Sequence, residues 1–411
     1  MDIRVDAGRL RKDIEALAEF GRDPKGGISR PSFSRADLDA RQWLKGKIAE
    51  ACLACREDGA GNIFGRLEGP GKTVMAGSHI DTVLHGGMFD GSVGVLAALE
   101  CLRRIKEEKL PPSRALEMVS FTDEEGNLVG DFLGSRAFLG LLDAEAIRNG
   151  RTQFGPHLAE VLEGTGFTVE GILAAHIERP DLDAYLELHI EQGPVLDDEG
   201  VPIGVVEAIA GKRYLLGSFI GAASHAGTTP LELRRDAFLG LADMALRSTR
   251  HVATHHYGAM VTIGKVGVHP GSFSIVPGRA EFSLDYRSSS PEVLRDLDRE
   301  LAGIAEDVAA TRGLSFAAKL VDATEPVFVP ERLLGILEGE CVRLGVPFLR
   351  VRSGAGHDAQ ILASACDAGM IFIPSPDGAS HTPEESIRWD DLEKGANVLL
   401  GALVKLAVKA G

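Results

Sequence analysis

Residues 73–82 have the sequence TVMAGSHIDT, in which a short apolar run is followed at once by a histidine and an aspartate. A run of roughly 4–8 apolar residues bounded by turn-forming residues is typical of a buried strand. Similar runs occur at 115–121 and 184–190, with helical patterns between them. This alternation predicts an α/β sheet covered by helices, and such sheets bind ligands at the carboxyl ends of their strands.

The order of elements changes in the middle of the chain. Here the pattern predicts, in sequence, a strand at 213–220, a helix at 236–253, strands at 260–266 and 279–287, a helix at 291–312 and a strand at 314–320. This β-α-β-β-α-β order is that of the ferredoxin-like unit. An apolar stripe supports its second helix and is formed by Leu294, Leu297, Leu301, Ile304 and Val308. We therefore predict a catalytic domain in two segments, 1–210 and 325–411, with a smaller α+β domain inserted at 211–324.

The composition is that of an ordinary, acidic globular protein. At ~150 residues per domain, the 411 residues suggest two or three folded units. Hydrophobic residues make up 44% and charged residues 25%, which is enough apolar material for a well-buried core. Lys and Arg total 44 against 60 Asp and Glu, so the formal net charge is −16. This balance argues against binding to the phosphate backbone of nucleic acids.

Cysteine usage and hydropathy favour a cytoplasmic protein. The five cysteines are odd in number and scattered, unlike the disulfide framework of a small secreted protein. Cys52 and Cys55 are the only close pair in the sequence, and we expect both to be small side chains of the core. No apolar run reaches the ~18 residues of a membrane helix. The first residues predict an amphipathic helix and not a signal peptide.

Titratable residues gather directly after the predicted strands. His79 and Asp81 follow the first strand, and Asp90 comes shortly afterwards in a glycine-rich segment. Glu124 and Glu125 are adjacent in the turn after the next strand. Imidazole is a borderline-soft metal ligand, and the two oxygens of an Asp can bridge two cations. Of two neighbouring Glu side chains, one can bind a metal while the other accepts a proton.

Two further clusters come later in the chain. Along the predicted strand 184–190, alternation puts His189 on one face between Glu187 and Glu191. His381 lies in a loop beyond the last short apolar run, ahead of the start of a helix. Taken singly, each of the four clusters also fits an exposed turn or the solvent face of a strand. Together they supply mixed nitrogen and oxygen ligands, as expected for Zn, Mn, Co or Ni and not for calcium.

In order and spacing, these clusters resemble those of a known group of enzymes. The motifs that carry the resemblance span nearly the whole chain and are GSHIDTV (77–83), GGMFDGSVGVLAALE (86–100), FTDEEGN (121–127), LELHIEQGPVL (186–196), SHAGTTP (224–230) and SHTPEE (380–385). Together they are similar to the amidohydrolase branch of the binuclear metallopeptidase and aminoacylase superfamily. That branch contains N-carbamoyl-L-amino-acid hydrolases, allantoate amidohydrolases and β-ureidopropionases.

The resemblance implies a binuclear-metallopeptidase-like catalytic domain with two divalent cations per subunit. The implied ligands are His79, Asp90 and His189 for one ion, and Asp90, Glu125 and His381 for the other. Glu124 would be the general base, and Asp81 would orient the ring of His79. The peptidase and aminoacylase branches usually have a carboxylate as the third ligand, so His189 matches the carbamoyl-cleaving branch instead.

The inserted domain and its surroundings carry further residues that match the family. The resemblance implies that His225 reaches an active site, commonly that of the partner subunit, and stabilises the developing oxyanion. A homodimer formed through the inserted lid domain follows from that role. Arg287 matches the arginine that binds the substrate carboxylate, a task suited to a bidentate guanidinium. Gln192 and His357 match further substrate contacts, although all four residues also fit plain roles in turns, loops or strand edges.

The chain departs from the family pattern at two places. Ser274 stands where the family usually has Asn before a Val-Pro-Gly turn, and its shorter side chain is expected to leave a gap in the substrate site. Asp377 and Gly378 replace paired glycines ahead of His381. The added carboxylate is expected to disfavour a second acidic group on the substrate.

The sequence thus favours metal-dependent hydrolysis of the ureido C–N bond of an N-carbamoyl-L-amino acid or a relative such as allantoate. Two alternatives stay open. One is an aminoacylase or exopeptidase that uses the same metals on N-acyl amino acids or dipeptides, and the other is a small-molecule-binding homologue without turnover. Because His225 and the implied ligands lie on different domains, we expect closure about hinges near 210–211 and 324–326.

Overall fold

The computed structural model describes residues 3–176 and 181–408. These residues form two compact units. The second unit comprises Ala208–Phe328 and Arg352–Gly356, and the first comprises the rest of the described chain. Within the described ranges, no helix combines the length and the apolar character needed to cross a membrane.

The elements alternate between helix and strand along most of the chain. The helices are α1 (Ala7–Leu17), α2 (Arg35–Glu50), α3 (Ser92–Glu107), α4 (Leu133–Phe138), α5 (Ala144–Asn149), α6 (Leu158–Leu162), α7 (Val169–Leu173), α8 (Val195–Asp198), α9 (Ala237–His255), α10 (Pro291–Arg312), α11 (Glu331–Leu344), α12 (Asp358–Leu362) and α13 (Trp389–Ala407). The strands are β1 (Ala54–Glu57), β2 (Ile63–Leu67), β3 (Thr73–His79), β4 (Ala115–Phe121), β5 (Leu182–Ile190), β6 (Ile203–Ile209), β7 (Gly211–Ile220), β8 (Ser224–His225), β9 (Met260–Thr262), β10 (Val266–His269), β11 (Ile275–Val276), β12 (Arg279–Ser288), β13 (Ser315–Thr324), β14 (Val327–Phe328), β15 (Phe348–Ser353) and β16 (Asp367–Ile373).

A mixed sheet organises the first unit. Its strands follow the order β1-β2-β4-β3-β5-β16-β6, with β15 also paired to β6. The central strands β4, β3, β5 and β16 are mutually parallel, whereas β1, β2 and β6 run antiparallel to their neighbours. Strands β3 and β4 are buried at every position, as expected for parallel strands covered on both faces. The α/β fold predicted from the alternating apolar runs is confirmed.

The strand register brings the carboxyl ends of the parallel strands to one edge of the sheet. His79 at the end of β3 pairs with Phe121 at the end of β4. Ile373 at the end of β16 pairs with Ile190 at the end of β5. Residues that follow these four strands therefore emerge side by side, at the edge where open α/β sheets bind their ligands.

Helix α3 covers the sheet close to this edge. It is buried along most of its length, because its sequence begins with small and apolar residues, SVGVLAAL. It packs against β3, β4, β5 and α13. A Cβ atom at Gly94 would lie 2.4 Å from the carbonyl oxygen of Leu188, so the glycine allows a close approach of helix and strand.

A buried arginine fixes the chain just beyond β3. Arg30 is 1% exposed, and its guanidinium donates to the carbonyl oxygens of Ile80, Leu17 and Phe20 at 2.6, 2.9 and 2.8 Å. Its backbone N–H donates to Thr82 Oγ1 at 2.9 Å. Burial lowers the pKa of Arg30 to about 10, and the three carbonyl groups supply the partners that a buried guanidinium requires. The turn after β3 is therefore held from inside the core.

The second unit contains an antiparallel sheet of order β10-β12-β7-β13, with β9 also paired to β12. Helices α9 and α10 pack against β12 and β7 and against each other. Along β12 every second residue is buried in the core that these helices share, namely Ala280, Phe282, Leu284 and Tyr286. Apart from the short strands β8 and β11, which pair with each other and were not predicted, the elements follow the predicted β-α-β-β-α-β order with one further difference. The predicted strand 260–266 is divided into β9 and β10, because the backbone N–H of Lys265 donates to the Ser283 hydroxyl at 3.0 Å.

The prediction that Cys52 and Cys55 lie in the core is wrong. Both are exposed. Helix α2 ends at Glu50, so Cys52 lies beyond it with a φ of 54°, and Cys55 lies on β1 at the edge of the sheet. The buried cysteines are Cys101 and Cys341, and none of the five forms a disulfide within the described residues.

Candidate metal centre

Side chains that follow or lie in the parallel strands converge in two overlapping groups that share Asp90. The ligand atoms of His79, Asp90 and His189 all lie within 4.8 Å of one another, and so do those of Asp90, Glu125 and His381. These five residues are the ligands that the sequence resemblance implies. Although they are spread over some 300 positions of the sequence, the fold brings all five together.

Asp90 presents a different oxygen to each group. Its Oδ1 atom lies 3.2 Å from His189 Nε2 and 3.9 Å from His79 Nε2. Its Oδ2 atom lies 3.2 Å from His381 Nε2, which in turn is 3.5 Å from Glu125 Oε2. A carboxylate that faces one set of donors with each oxygen is suited to bridge two cations.

The ends of the strands position each of these side chains. His79 is the last residue of β3, His189 lies in β5, and Glu125 lies in the turn after β4. Asp90 comes just before α3, and His381 lies in the loop after β16 with a φ of 58°. A positive φ is uncommon for a residue other than glycine and often accompanies a binding site.

Backbone carbonyl groups orient the rings of the two buried histidines. His79 Nδ1 lies 3.0 Å from the carbonyl oxygen of Asp81, and His189 Nδ1 lies 2.9 Å from that of Ile190. Because a carbonyl oxygen only accepts, each Nδ1 carries the hydrogen in these contacts. The Nε2 atoms of both rings are then directed at Asp90, and a metal would bind them in place of any proton that they share with this carboxylate.

Both the backbone and the side chain of Asp81 lie near the ring of His79. The Asp81 carboxylate lies 3.7 Å from His79 Nδ1, and the backbone carbonyl of the same residue makes the closer contact. The two carboxylate oxygens of Asp81 accept long hydrogen bonds, 3.4 Å each, from the backbone N–H groups of Glu124 and Glu125. Asp81 thus links the turn after β3 to the acidic turn after β4.

The carboxyl groups of the centre differ in how readily they ionise. Burial, added to by neighbouring carboxylates, raises the pKa of both Glu124 and Glu125 well above the usual value. Burial also opposes ionisation of Asp90, but hydrogen bonds from His189 and His381 outweigh it and hold its pKa well below the usual value. Asp90 is therefore the anion around which the other groups are arranged.

The imidazole groups respond in opposite ways to the same surroundings. Burial lowers the pKa of His79 to about 4, so this ring is neutral at pH 7, the form that binds metals. Burial also opposes the charged form of His189, but its hydrogen bond to Asp90 prevails and raises its pKa to about 9. The Asp90 carboxylate therefore attracts positive charge to the centre.

The chemistry of this donor set fits divalent cations. Among the described residues, Glu125 Oε1 is buried without a hydrogen-bond partner, although it stands among other acidic groups. Buried like charges are costly unless a cation compensates them. Imidazole nitrogens mixed with carboxylate oxygens suit Zn, Mn, Co or Ni. The centre therefore supports the use of a divalent metal.

Glu124 lies beside the two ligand groups and belongs to neither. Its Oε2 atom is 3.6 Å from His79 Nε2, and the residue is 9% exposed. This position next to the donors is the geometric requirement of a group that exchanges a proton with a water at the centre.

A family model described as peptidase family M20/M25/M40 matches residues 75–405. The chain belongs to this family. It is 37% identical over 407 residues to an N-carbamoyl-L-amino acid amidohydrolase from Geobacillus stearothermophilus, covering 98% of this chain and 99% of that protein. It is 36% identical over 402 residues to an allantoate amidohydrolase of Escherichia coli strain K12, covering 97% of each.

A solved structure extends the likeness to three dimensions. An amidase of the hydantoinase/carbamoylase family from Burkholderia multivorans superposes with a TM-score of 0.89 at 33% identity, covering 100% of both chains. The family resemblance predicted from the motifs is therefore confirmed.

Within this family member, Glu385 is a positioning residue that the sequence analysis missed. Its Oε1 atom accepts hydrogen bonds from the backbone N–H groups of Phe89 and Asp90 at 2.8 and 3.1 Å. A Cβ atom at Gly87 would lie 2.0 Å from the same oxygen, which explains the glycine. Burial, added to by the charge of Asp90, raises the pKa of Glu385 to about 7. The available signal was its place as the last residue of the SHTPEE motif.

Two of the predicted substrate contacts lie at the same centre. Gln192 Nε2 donates to Asp90 Oδ2 at 3.0 Å and to Ser380 Oγ at 3.1 Å. The His357 ring is buried against the ring of His189, with centroids 4.6 Å apart. Gln192 is half-buried at the mouth of the ligand set, whereas His357 packs behind one of the ligands.

His225 and Ser274 lie together in the second unit. His225 in β8 pairs with Ile275 in β11, which places it next to Ser274. Both His225 and Ser274 are exposed. The backbone N–H of Ala226 donates to the carbonyl oxygen of Ser274 at 2.8 Å, so the backbone of this substituted position supports the strand that carries His225.

Arg287, also in the second unit, has polar neighbours of its own. Its guanidinium donates to both carboxylate oxygens of Asp285, to the Tyr214 hydroxyl at 3.0 Å and to the carbonyl oxygen of Gly354 at 3.1 Å. In the first unit, the departure at Asp377 is an exposed residue with a φ of 58°, and its N–H donates to Asp197 Oδ2 at 3.2 Å.

Adding one methyl group at Gly91 tests how tightly the metal centre is packed. Gly91 has a φ of 63°, and a Cβ atom there would lie 2.4 Å from His79 Nε2. We expect Gly91→Ala to displace this ring and weaken metal binding by roughly 10–100-fold, as measured by competition with a chromophoric chelator. Gly71→Ala is the matched control, because Gly71 has a φ of 68° and nothing within 4 Å of its added Cβ. Equal metal affinities in the two variants would contradict the prediction.

Proposed function

We propose that the protein hydrolyses the ureido C–N bond of an N-carbamoyl-L-amino acid or a related ureido acid such as allantoate. The observation that carries the proposal is the division of Asp90 between two ligand groups, with Glu124 alongside both. Relatives of nearly the same length that are named for these two activities support the substrate class. The presence of His189 at the third ligand position agrees with the carbamoyl-cleaving branch.

The roles of the chain's own residues follow from their positions. His79, Asp90 and His189 would hold one divalent ion, and Asp90, Glu125 and His381 the other, of the Zn, Mn, Co or Ni type. Such ions, when bound, polarise a carbonyl group and make a water more acidic. Glu124 accepts a proton from the attacking water and delivers it to the leaving nitrogen as the C–N bond breaks.

The second unit would supply substrate recognition and stabilisation of charge. In this proposal His225 stabilises the developing oxyanion and Arg287 binds the substrate carboxylate. Further contacts with the substrate come from Ser274, Gln192 and His357. His225 would act in the partner subunit of a homodimer, after closure of the second unit over the metal centre. Exposed apolar side chains on β7 and β13 support an interface there, and they are Leu216, Ile220, Leu320 and Val321. Five free cysteines are consistent with a cytoplasmic location.

Replacing Glu124 by Gln separates proton transfer from metal binding. Because Glu124 belongs to neither ligand group, we expect Glu124→Gln to keep the metal content and to lower kcat by roughly 10²–10⁴-fold. The matched variant Glu125→Gln changes the neighbouring carboxylate, which is a ligand, and should lower the metal content itself. Elemental analysis and steady-state kinetics measure the two quantities. A Glu124→Gln enzyme with an unchanged rate would remove Glu124 from the mechanism.

A substrate panel tests the proposed bond. On metal-reconstituted protein we expect turnover of N-carbamoyl-L-amino acids or allantoate, and none of N-acetyl amino acids or dipeptides. Turnover of acyl or peptide substrates alone would favour the aminoacylase or exopeptidase alternative. Metal-loaded protein without turnover of any of them would favour a binding homologue. Among carbamoyl substrates, we expect those with an acidic side chain to be disfavoured, and Asp377→Gly to reduce that discrimination.

A further inference from the structure

A separate cluster of candidate metal ligands lies in the second unit, on residues without a role in the proposed hydrolysis. The ligand atoms of His251, His256 and Glu300 all lie within 4.8 Å of one another. His251 lies near the end of α9, His256 directly follows that helix, and Glu300 lies in the middle of α10. All three belong to the second unit, so the cluster is complete within one compact body.

One carboxylate oxygen is the meeting point of the cluster. Glu300 Oε2 lies 2.8 Å from His251 Nε2 and 2.7 Å from His256 Nε2. In the same unit, Glu281 meets one base with each oxygen, because its Oε2 atom lies 3.1 Å from His269 Nε2 and its Oε1 atom lies 2.7 Å from Arg279 Nη2. At Glu300, two imidazole nitrogens face a single oxygen, and these three atoms could occupy three corners of the coordination sphere of one metal ion.

The backbone holds these three side chains in place before any ion binds. Helices α9 and α10 pack against each other, which sets the distance from Glu300 to the end of α9. His256 leaves the helix with φ −129° and ψ 68°, and its N–H donates to the carbonyl oxygen of Val252 at 2.9 Å. The ring of His251 stacks on that of His255, with centroids 4.5 Å apart, which limits its rotation. Preorganised ligands lose little conformational entropy on binding.

We propose that His251, His256 and Glu300 bind one divalent transition-metal ion, with Zn²⁺ as the ion of best fit. Zinc binds imidazole nitrogen and carboxylate oxygen at about 2.0–2.2 Å in a tetrahedron, which places ligand atoms about 3.4 Å apart. The present separations of 2.7 and 2.8 Å are those of hydrogen bonds. Each ligand atom therefore needs to move by less than about 1 Å for the ion to replace the two bridging protons.

Exposure and charge both suit an ion that enters from solvent. The side chains of His251, His256 and Glu300 are 27%, 10% and 30% exposed, so water can fill a fourth position. The Glu300 carboxylate has an imidazole nitrogen of His251 and of His256 within 2.8 Å of one oxygen, an arrangement that favours its anionic form. Arg299 Nη2 is 3.8 Å from the other carboxylate oxygen and is bonded to Asp296 at 2.8 Å, which leaves Oε2 to the imidazoles.

An ion at this place would connect the end of α9 to α10 within the second unit. Three protein ligands would leave the fourth position of the ion to water, and the effect of the ion within this unit would be to fix the end of α9 against α10. The inference does not rest on the proposed hydrolase activity, and its test does not use turnover.

Zinc stoichiometry of the whole protein tests the site. Wild type and a His251→Gln/His256→Gln double variant are dialysed against the same buffered micromolar Zn²⁺, and zinc per subunit is measured by elemental analysis. Because the ligands of the first unit are unchanged, we expect wild type to hold one more equivalent than the double variant. We also expect added zinc to raise the Tm of wild type by more than it raises the Tm of the double variant. Equal zinc contents would overturn the proposal.

Two further measurements keep the outcome decisive if the double variant folds poorly. The control variant His269→Gln removes a different exposed His–Glu pair of the same unit, His269 with Glu281. It should bind as much zinc as wild type does. If it also loses the extra equivalent, the assignment is wrong. A zinc-edge anomalous difference map of wild-type crystals should show a peak between His251 Nε2, His256 Nε2 and Glu300 Oε2. Zinc peaks only elsewhere in the molecule would equally overturn the site.

Discussion

Buried carboxylates repel one another, and this constraint governs the arrangement of the first unit. Asp81, Glu124 and Glu125 lie within a few residues of strand ends that the parallel register aligns, and Asp90 lies just before α3 at the same centre. Such a group is costly in a low-dielectric interior unless positive charge compensates it. The two histidines whose pKa Asp90 raises show the direction of the effect, because a carboxylate there attracts a proton or a cation. A pair of divalent ions would meet the same demand with a fixed geometry.

The surrounding structure serves to hold this acidic edge in shape. Arg30 joins the turn after β3 to the core through backbone carbonyl groups. Glu385, in the loop after β16, accepts hydrogen bonds from the backbone N–H groups of Phe89 and Asp90 and so fixes the position of Asp90. Glycine at position 91 leaves room for the ring of His79. Each contact acts on the orientation of a donor atom, so small changes of volume are expected to matter more here than elsewhere in the sheet.

Much of the fold could be predicted from sequence because it follows from periodicity, whereas the ligand set was what the resemblance to a known family implied. Strand β4 and helix α10 were predicted with their observed bounds, and the residues after each parallel strand had to share an edge. Contacts through the backbone could not be predicted in the same way. The carbonyl group of Asp81 lies closer to His79 Nδ1 than its carboxylate does, at 3.0 against 3.7 Å. The burial of Arg30 depends on carbonyl groups of two segments, the end of α1 and the turn after β3, and the exposure of Cys52 depends on where α2 ends. Periodicity contains no information on any of these.

The crystal structure of the metal-loaded protein, with anomalous data collected at the edge of the bound metal, tests the central claim most directly. The account predicts two peaks roughly 3.5–4 Å apart. One should lie beside Asp90 Oδ1 with His79 and His189, and the other beside Asp90 Oδ2 with Glu125 and His381. A single ion away from Asp90, or ions bound by other residues while these five side chains point elsewhere, would contradict it.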